Sequence, residues 1–347
     1  MYSIAMQVGI IGASGYGGVE LLALCASHPN LEVKVATANT HVGELISTHT
    51  PSLSTAYPTL TYSAVDPDEL DGLDLVFFAL PHGESQQIVP EVISRVGAVI
   101  DLAGDFRLSD PSIYLDWYKQ DHHCPELLDD FVYGLPELYR LNMRGKTNIA
   151  SPGCYPTSVA LALAPLLREG LLEPCNIVID AASGVSGAGR SPSSSLHFPE
   201  LDESFTAYGL LNHRHTPEME QALGLAPGSI LFTPHLAPMV RGIFATCYAK
   251  PIDHLNIDTN RLIDLLTQFY SKEPFVVVSE TIPSTKSTAG SNCAHLSARF
   301  DERTGWVVVL CALDNLIKGA AGQAIQCANI IFDIPETTGL ALVGMYP

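Results

Sequence analysis

The sequence has few basic residues and no long apolar run. Of 347 residues, 18 are lysine or arginine and 37 are aspartate or glutamate, so the net charge is −19. Because this charge repels phosphate backbones and anionic lipids, we expect neither nucleic acid nor a membrane as a partner. No apolar stretch reaches the ~20 residues that span a bilayer. The first residues also lack the basic and then apolar pattern of a secretory signal. We therefore expect a soluble, cytoplasmic protein.

The eight cysteines include no C-x-x-C pair and no repeated Cys/His spacing. Structural zinc sites have such spacings, and disulfide frameworks are typical of small secreted domains. We therefore expect no metal site and no disulfide framework. The cysteines are interpreted as reduced thiols, of which one has an unusual setting.

The length predicts about two domains, because 347 residues exceed one typical core. In the N-terminal part, short apolar strands alternate with helices, which is typical of a doubly wound parallel sheet and of the α/β class. The expected strands are 7–11, 31–36, 73–80 and 98–102, and the expected helices are 19–27 and 88–96.

The pattern changes after residue 153, where strands outnumber helices. We expect an α+β domain over residues 154–314 with a mostly antiparallel or mixed sheet. Its expected strands are 176–182, 229–235, 242–250, 275–280, 295–300 and 306–312, and its expected helices are 157–168 and 260–271. An Ala/Gly-rich helix at 315–331 is expected to return to the first domain, which would comprise residues 1–153 and 315–334. Residues 335–347 are expected to form a surface tail.

A glycine turn follows the first predicted strand and opens the first helix. Gly12, Gly15 and Gly18 form a G-x-x-G-x-x-G variant, with Ser14 where the usual fingerprint has its second glycine. Glycines in this context let the backbone approach a pyrophosphate, whose charge is stabilised by the helix N-terminus. The turn therefore predicts a dinucleotide site. The end of the second strand, from Thr37 onward, has no nearby acid to repel a 2′-phosphate, which favours NADP over NAD.

The segment around Cys154 predicts a nucleophile. Cys154 follows a Pro-Gly turn and stands where an apolar helical stretch begins. The positive end of a helix dipole favours a thiolate over a thiol at such a position. Together with the dinucleotide turn, this arrangement indicates thioester chemistry coupled to hydride transfer.

Two histidines flank an arginine before another predicted helix, in a segment that runs from Asn212 to Glu218. His213 or His215 could deprotonate the thiol and later protonate an alkoxide. We expect His213 to do so, although the loop spacing leaves the choice open.

Two further features suggest ligand contacts. A second glycine run, residues 183–190, follows a strand and could approach the nicotinamide or the acyl group. Arg107 follows a predicted strand end of the first domain, and Arg241 lies between two strands of the second. Because guanidinium groups bind phosphate and carboxylate bidentately, either arginine could hold one end of an anionic substrate.

Eight motifs occur between residue 12 and residue 324. They are GASGYGG, DLAGDFR, YGLPEL, SPGCYPT, SGVSGAGR, NHRHTPE, FTPHLAP followed by Arg241-Gly242, and DNLIKGAAGQA. With these motifs, in this order, the sequence resembles the N-acetyl-gamma-glutamyl-phosphate reductases of arginine biosynthesis. SPGCYPT and HRHTPE are the most specific of the eight.

The resemblance implies a Rossmann domain, a substrate and dimerisation domain like that of aspartate-semialdehyde dehydrogenase, and a homodimer or homotetramer. It implies NADPH-dependent reduction of an acyl phosphate, N-acetyl-L-glutamyl 5-phosphate, with Cys154 as nucleophile and His213 and His215 as motif histidines. The residues expected against NADP(H) are Gly12, Ser14, Gly15, Tyr16, Gly17, Gly18, Thr37, Ser183, Gly184, Gly187 and Asn315. Those expected against substrate are Arg107, Arg241 and Ser186.

Two alternatives stay open at this point. A lysine-pathway reductase that acts on the aminoadipyl analogue has the same chemistry, and one methylene is worth only about 1–3 kcal/mol of discrimination. A non-catalytic NADP-binding sensor would bind the cofactor without turnover and would not need Cys154.

Overall fold

A computed structural model describes residues 5–252 and 256–346. The chain divides into two compact units. The first unit comprises the residues up to Pro152 together with Ala320–Leu340, and the second comprises Gly153–Gly319 together with the residues from Ala341 onward. Among the residues described, none of the helices has both the length and the apolar character needed to cross a membrane.

The first unit alternates strands and helices. Its elements before Pro152 are β1 (Met6–Ile11), α1 (Tyr16–Ser27), β2 (Leu31–Ala36), α2 (Ile46–His49), β3 (Leu75–Phe78), α3 (Ser85–Val92), β4 (Val99–Asp101), α4 (Pro111–Tyr118), β5 (Val132–Tyr133), α5 (Pro136–Met143) and β6 (Asn148–Ala150). Short 3₁₀ turns lie at Pro51–Leu53, Pro67–Leu70 and Pro125–Asp130.

These six strands form one sheet in the order β2-β1-β3-β4-β6-β5, and every pairing is parallel. All four residues of β3 are buried, as expected of a strand covered on both faces. The prediction of a parallel sheet is confirmed. The strand predicted at 73–80 is shorter, because Leu73 lies in a turn and pairing ends at Phe78.

The helix predicted at 88–96 begins three residues earlier and ends earlier, at Val92. Its start is fixed by the buried carboxylate of Asp105, which accepts hydrogen bonds from the backbone N–H groups of Gly83 and Gln86 and from the Ser85 hydroxyl. A carboxylate at a helix N-terminus satisfies donors that have no partner inside the helix. A local pattern of apolar residues could not reveal a cap that lies about twenty residues away.

The second unit begins with the long helix that carries Cys154. Its elements are α6 (Cys154–Arg168), β7 (Ile177–Gly184), α7 (Phe198–Leu201), β8 (Thr206–Ala207), α8 (His215–Leu223), β9 (Ile230–Ala237), β10 (Ile243–Ala249), α9 (Thr259–Phe269), β11 (Val276–Val278), α10 (Thr285–Thr288), β12 (Ala294–Asp301) and β13 (Trp306–Leu313). Short 3₁₀ turns lie at Val185–Ala188 and Ser194–Leu196.

The seven strands of the second unit form a mixed sheet in the order β11-β12-β13-β10-β7-β9-β8. β11 pairs with β12 and β7 pairs with β9 in parallel, and the other pairings are antiparallel. The prediction of a mixed sheet is confirmed. α6 is almost wholly buried and packs against α8, α9, β10 and β13. This burial makes α6 a rigid platform for the residue at its first position.

The helix predicted as one element at 315–331 is interrupted. A π-helical turn occupies Ile317–Ala321, and the α-helix, α11, occupies only Gly322–Ile331. The division between the two units falls inside the π-helical turn, after Gly319. Within the first unit, α11 contacts α1, α5 and β4. π-helical turns inside helices often mark functional sites, and the sequence pattern contains no period that distinguishes them.

Candidate active site

Cys154 is the first residue of α6, with Gly153 in extended conformation as the N-cap. The thiol is half-buried and is one of eight free cysteines. Thr157 closes the first turn with a 2.9 Å hydrogen bond from its N–H to the Gly153 carbonyl. The N–H groups of the first turn have no acceptor within the helix, and the helix dipole stabilises negative charge at this end. The position predicted for a nucleophile therefore lies at a helix terminus suited to a thiolate.

A buried carboxylate holds the turn in front of Cys154. Glu218 is 1% exposed, and its Oε1 accepts a 2.8 Å hydrogen bond from the Gly153 N–H. Glu218 lies in the first turn of α8, the helix that begins with His215. The same helix thus provides one candidate histidine and fixes the N-cap that presents the thiol.

The π-helical turn passes close behind Cys154. A Cβ placed on Gly319 would lie 2.8 Å from the Cys154 Cβ, so any larger residue would push the nucleophile from its position. The Gly319 N–H donates to the Asp314 carbonyl at 2.9 Å, which fixes this approach.

His213 and His215 lie side by side, with ring centroids 4.8 Å apart and planes inclined at 71°. Both rings also contact the Tyr155 ring edge to face, at 5.5 Å and 6.0 Å. The structure therefore brings both predicted histidines against the residue that follows Cys154.

The environment of His213 fixes its protonation. Burial, together with the charge of Arg214, lowers the pKa of His213 to about 4, so the ring is neutral near pH 7. Its Nδ1 accepts a 3.2 Å hydrogen bond from the His215 N–H. A neutral imidazole carries one proton, so this bond places the proton on Nε2. His213 consequently presents a donor at its other nitrogen.

Two tyrosines complete the wall beside the thiol. The Tyr208 hydroxyl donates to the Tyr155 hydroxyl at 3.1 Å, and the Tyr155 hydroxyl donates to the His235 carbonyl at 3.4 Å. Burial raises the pKa of both phenols, that of Tyr208 to about 12, and the nearby Cys154 also raises both pKa values. Both hydroxyls are therefore neutral hydrogen-bond donors at physiological pH.

The second glycine run follows β7 and is tied to a neighbouring turn by Asn315. The Asn315 Nδ2 donates to the Ser186 hydroxyl at 3.0 Å, and its Oδ1 accepts from the Gly242 N–H at 2.7 Å. A Cβ on Gly184 would lie 2.7 Å from the Val240 carbonyl oxygen, so only glycine permits this close approach of the two turns. Ser183 and Gly187 meet within the run, where a Cβ on Gly187 would lie 2.9 Å from the Ser183 Oγ.

The two candidate arginines occupy different environments. Arg107, in the first unit, is buried, and its Nε and Nη2 donate to the carbonyls of Ser151 and Leu102 at 2.7 Å and 2.8 Å. Arg241, in the second unit, directly precedes Gly242 in the turn held by Asn315, and its side chain is 31% exposed. Its Nη1 lies 3.9 Å from the buried Asp314 carboxylate. Arg107 thus supports its own unit, whereas Arg241 is the more accessible of the two.

The glycine turn between β1 and α1 has the geometry of a phosphate-binding loop. Gly12 adopts φ = +84°, and a Cβ there would lie 2.5 Å from the Ala79 carbonyl oxygen. A Cβ on Gly18 would lie 2.3 Å from the Gly12 carbonyl oxygen. Gly15 is the N-cap of α1, and no atom lies within 4 Å of a Cβ built on Gly17. The backbone before α1 is therefore open to a pyrophosphate, and the residues present fit a dinucleotide.

Three other residues predicted to contact the cofactor lie in or beside this turn. Ser14 lies within it, half-buried, and Tyr16 is the first residue of α1 and is 36% exposed. Thr37 is buried, and its Oγ1 accepts a 3.2 Å hydrogen bond from the Gly12 N–H. The Thr37 hydroxyl thus stabilises the turn through a hydrogen bond that the sequence did not predict.

Sequence reasoning missed several residues of the thiol environment. Glu218 belongs to a motif that the analysis singled out, yet a glutamate in a first helical turn looks like an ordinary helix-dipole partner. Tyr155 directly follows Cys154, but nothing in its spacing indicates a partner. Tyr208 directly follows β8 and Phe232 lies on β9, and only folding brings their rings to His213, with centroids at 5.5 Å and 5.3 Å.

Comparison with known families identifies two matching domain models. Residues 7–145 match the semialdehyde dehydrogenase NAD binding domain, and residues 154–315 match the semialdehyde dehydrogenase dimerisation domain. Together these models cover most of the chain.

Individual relatives agree with this result. The chain is 47% identical to the N-acetyl-gamma-glutamyl-phosphate reductase of Desulforudis audaxviator over 99% of this chain and 100% of the relative. It is 46% identical to that of Symbiobacterium thermophilum over the same shares. The fold is similar to aspartate semialdehyde dehydrogenase II of Vibrio cholerae, with a TM-score of 0.70, 16% identity, and coverage of 95% of this chain and 99% of the other. The Candida albicans aspartate semialdehyde dehydrogenase solved with NADP gives a TM-score of 0.70 at 16% identity, covering 94% and 98%.

Proposed function

Because the chain belongs to the N-acetyl-gamma-glutamyl-phosphate reductase family of semialdehyde dehydrogenases, we propose that it reduces N-acetyl-L-glutamyl 5-phosphate to N-acetyl-L-glutamate 5-semialdehyde and phosphate. The cofactor is NADP(H), and the product belongs to arginine biosynthesis. The observation that carries the proposal is Cys154 at the first position of α6, with its N-cap held by Glu218.

The first step is attack by the Cys154 thiolate on the acyl-phosphate carbonyl. A sulfur–carbon bond forms, the carbon–oxygen bond to phosphate breaks, and phosphate leaves with the bonding electrons. The product of this step is a thioester on Cys154. The N–H groups at the start of α6 support the proposal, because they are placed to stabilise an oxyanion on the same carbon.

NADPH, when bound, supplies the hydride that reduces the thioester carbonyl. The glycine turn from Gly12 to Gly18 would hold its pyrophosphate, and Ser183, Gly184 and Gly187 are proposed to contact its nicotinamide half. The thiohemiacetal on Cys154 then collapses, the carbon–sulfur bond breaks, and the aldehyde and the thiolate are released.

The two histidines are proposed to have different roles in proton transfer and in stabilising the carbonyl oxygen. The sequence interpretation assigned proton transfer to His213, but the hydrogen bond at its Nδ1 supports a different division. We propose that the neutral His213 donates a hydrogen bond from Nε2 to the carbonyl oxygen as negative charge develops there. His215 is the proposed base that accepts the thiol proton of Cys154 before the attack.

We propose that Arg241 holds the anionic end of the substrate. It is about a third exposed and lies on the turn that Asn315 ties to Ser186, so a substrate held by Arg241 would also lie beside the glycine run. A guanidinium binds carboxylate or phosphate with two parallel hydrogen bonds. The internal bonds of Arg107 support a positioning role in the first unit.

The assembly and location follow from other observations. The match of residues 154–315 to a dimerisation domain supports an oligomer, which we propose to be a homodimer or homotetramer. All eight cysteines are free, which supports a reducing compartment, and we propose the cytoplasm. Sedimentation velocity of the purified chain tests the oligomer.

The test of the reaction is a phosphate-dependent assay run in reverse. NADPH formation is followed from N-acetyl-glutamate semialdehyde, NADP and phosphate, beside the aminoadipate analogue. Cys154→Ser should abolish turnover while NADPH affinity stays nearly unchanged. Cys175→Ser is the matched control, because Cys175 is an exposed free cysteine of the same unit and should leave turnover unchanged.

Each other outcome changes the conclusion. Preference for the longer aldehyde would assign the protein to the lysine-pathway reaction. Cofactor binding without turnover of either aldehyde would support the sensor. Activity retained in Cys154→Ser would contradict the thioester mechanism.

A further inference from the structure

His41, Glu44 and His49 form a cluster on the first unit, and none of the three has a role in the proposed reaction. One ligand atom from each of the three lies within 4.8 Å of the other two. The Glu44 Oε1 lies 3.6 Å from the His41 Nδ1, and the Glu44 Oε2 lies 2.5 Å from the His49 Nε2. The imidazole rings lie against each other, with centroids 3.7 Å apart.

The backbone on both sides of the cluster is fixed. The Glu44 N–H donates to the His41 carbonyl, which closes a tight turn through Gly43 at φ = +84°. The Gly43 N–H donates to the Tyr62 carbonyl, and the Tyr62 N–H donates to the Glu44 carbonyl. The segment from His41 to His49 is therefore hydrogen-bonded to residues 60–63. This backbone pairing preorganises the positions of the three ligand residues.

Aromatic packing also orients the imidazoles. The Tyr62 ring is buried, and its centroid lies 6.2 Å from that of His41 and 6.3 Å from that of His49. The side chains of the two histidines are 28% and 23% exposed, and that of Glu44 is 46% exposed. The cluster thus packs on the buried Tyr62 ring on one side and is exposed to solvent on the other. An ion could therefore reach it with water as a further ligand.

We propose that His41, Glu44 and His49 form a binding site for a borderline divalent transition-metal ion of the Zn²⁺ type. Two imidazole nitrogens and one carboxylate oxygen are a known ligand set for zinc, with a fourth position left for water. Ligand atoms of a tetrahedral zinc site are roughly 3.4 Å apart, given metal–ligand distances near 2.0–2.2 Å. The observed separations need only small side-chain rotations to reach that value. Mg²⁺ and Ca²⁺ prefer oxygen ligands and would bind poorly.

This site departs from the expectation that the chain binds no metal. That expectation rested on the lack of repeated Cys/His spacings. His41 opens the turn and His49 is the last residue of α2, so the ligand set arises only when this segment folds onto residues 60–63. The proposal is independent of the reductase activity.

The test is metal binding to the full chain in a Cys154→Ser background, which removes the reactive thiol as a competing ligand. Co²⁺ and Zn²⁺ are titrated into chelator-treated protein, by calorimetry and by the electronic spectrum of Co²⁺. We expect one ion per chain, with nitrogen and oxygen ligation and no thiolate charge-transfer band. His41→Ala, Glu44→Gln and His49→Ala should each weaken binding by ~10-fold or more, since even outer-shell changes cost 10–100-fold.

His123→Ala is the matched control, because His123 is an exposed histidine of the same unit outside the cluster. It should leave stoichiometry and affinity unchanged. Zn²⁺ should raise the thermal midpoint of the parent but not of the His41→Ala/His49→Ala double variant, whose metal-free midpoint reports its folding. Any of three results would overturn the proposal. They are unchanged Zn²⁺ binding in the double variant, no Zn²⁺ binding by the parent, and equal affinity of the parent for Mg²⁺ and Zn²⁺.

Discussion

Replacement of Glu218 tests whether the N-cap of α6 controls the nucleophile. Glu218→Ala removes a buried carboxylate that accepts the Gly153 N–H at 2.8 Å. A hydrogen bond to a charged group contributes about 1.5–3 kcal/mol, and an unsatisfied buried donor costs a similar amount. At roughly 2–4 °C per kcal/mol, we expect the thermal midpoint to fall by several degrees. The turn would also relax and carry Cys154 with it.

The catalytic effect should exceed the effect on stability. Displacement of a reacting group by about 1 Å can cost 10²-fold in rate, so kcat/KM of Glu218→Ala should fall by roughly that factor. Glu218→Gln keeps an acceptor oxygen at the same place and should recover much of the loss. The assays are steady-state kinetics and the rate of Cys154 alkylation by iodoacetamide, measured below the unfolding transition.

The same helix offers a matched control. Glu220 is also buried on α8, and its Oε1 accepts the N–H groups of Gly228 and Ile230 at 2.8 Å and 3.2 Å. Glu220→Ala should destabilise the protein comparably but leave Cys154 alkylation unchanged. Equal losses of alkylation rate in Glu218→Ala and Glu220→Ala would refute the reasoning, because both residues would then act only through stability.

Three further predictions concern other parts of the molecule. Gly18→Ala should abolish NADPH binding in a fluorescence titration, because its Cβ would lie 2.3 Å from the Gly12 carbonyl oxygen. Unchanged affinity would contradict the assignment of this turn to the pyrophosphate. His213 has a folded-state pKa of about 4, below its unfolded value of about 6.5. The unfolded state therefore binds more protons, and the stability that His213 contributes is lost as pH falls from about 6.5 towards 4. His213→Gln should flatten this part of a plot of thermal midpoint against pH; an identical slope in both proteins would contradict the assignment. Arg241→Ala should raise KM with little change in thermal midpoint, whereas Arg107→Ala should lower the midpoint, because it removes the Arg107 donors from the buried Ser151 carbonyl and the partly buried Leu102 carbonyl; the reverse pattern would exchange the two roles.

The sequence predicted the parts of this molecule that depend on local pattern. The parallel strands of the first sheet, the mixed second sheet and the glycine turn before α1 all follow from short periodicities and from glycine chemistry. Cys154 could be singled out because a Pro-Gly turn and a helix start are adjacent in sequence.

The remaining features depend on long-range contacts. Glu218 reaches Gly153 across 65 residues, and Asn315 joins Ser186 to Gly242 across even longer separations. Both ends of the Asn315 side chain bond within the protein, and its contact with the cofactor stays a prediction. Such pairings depend on which turns the sheet brings together, and no local pattern encodes them. The π-helical turn was missed for a similar reason, since its tight approach to Cys154 is visible only in space.

The parallel pairing of β7 with β9 has a consequence for how the protein folds. The two strands are joined by residues 185–229, and this connection contains α8 with His215 and Glu218. Parallel pairing across a long connection closes slowly, because the loop entropy is lost before the sheet contacts form. Until it closes, Cys154 lacks both His215, its proposed proton acceptor, and the Glu218 carboxylate that holds the turn before it. If the proposed roles hold, we expect a newly made chain to carry an ordinary thiol and to gain the reactive one only when the second sheet is complete. The rate of Cys154 alkylation, followed during refolding, would report when β7 and β9 pair.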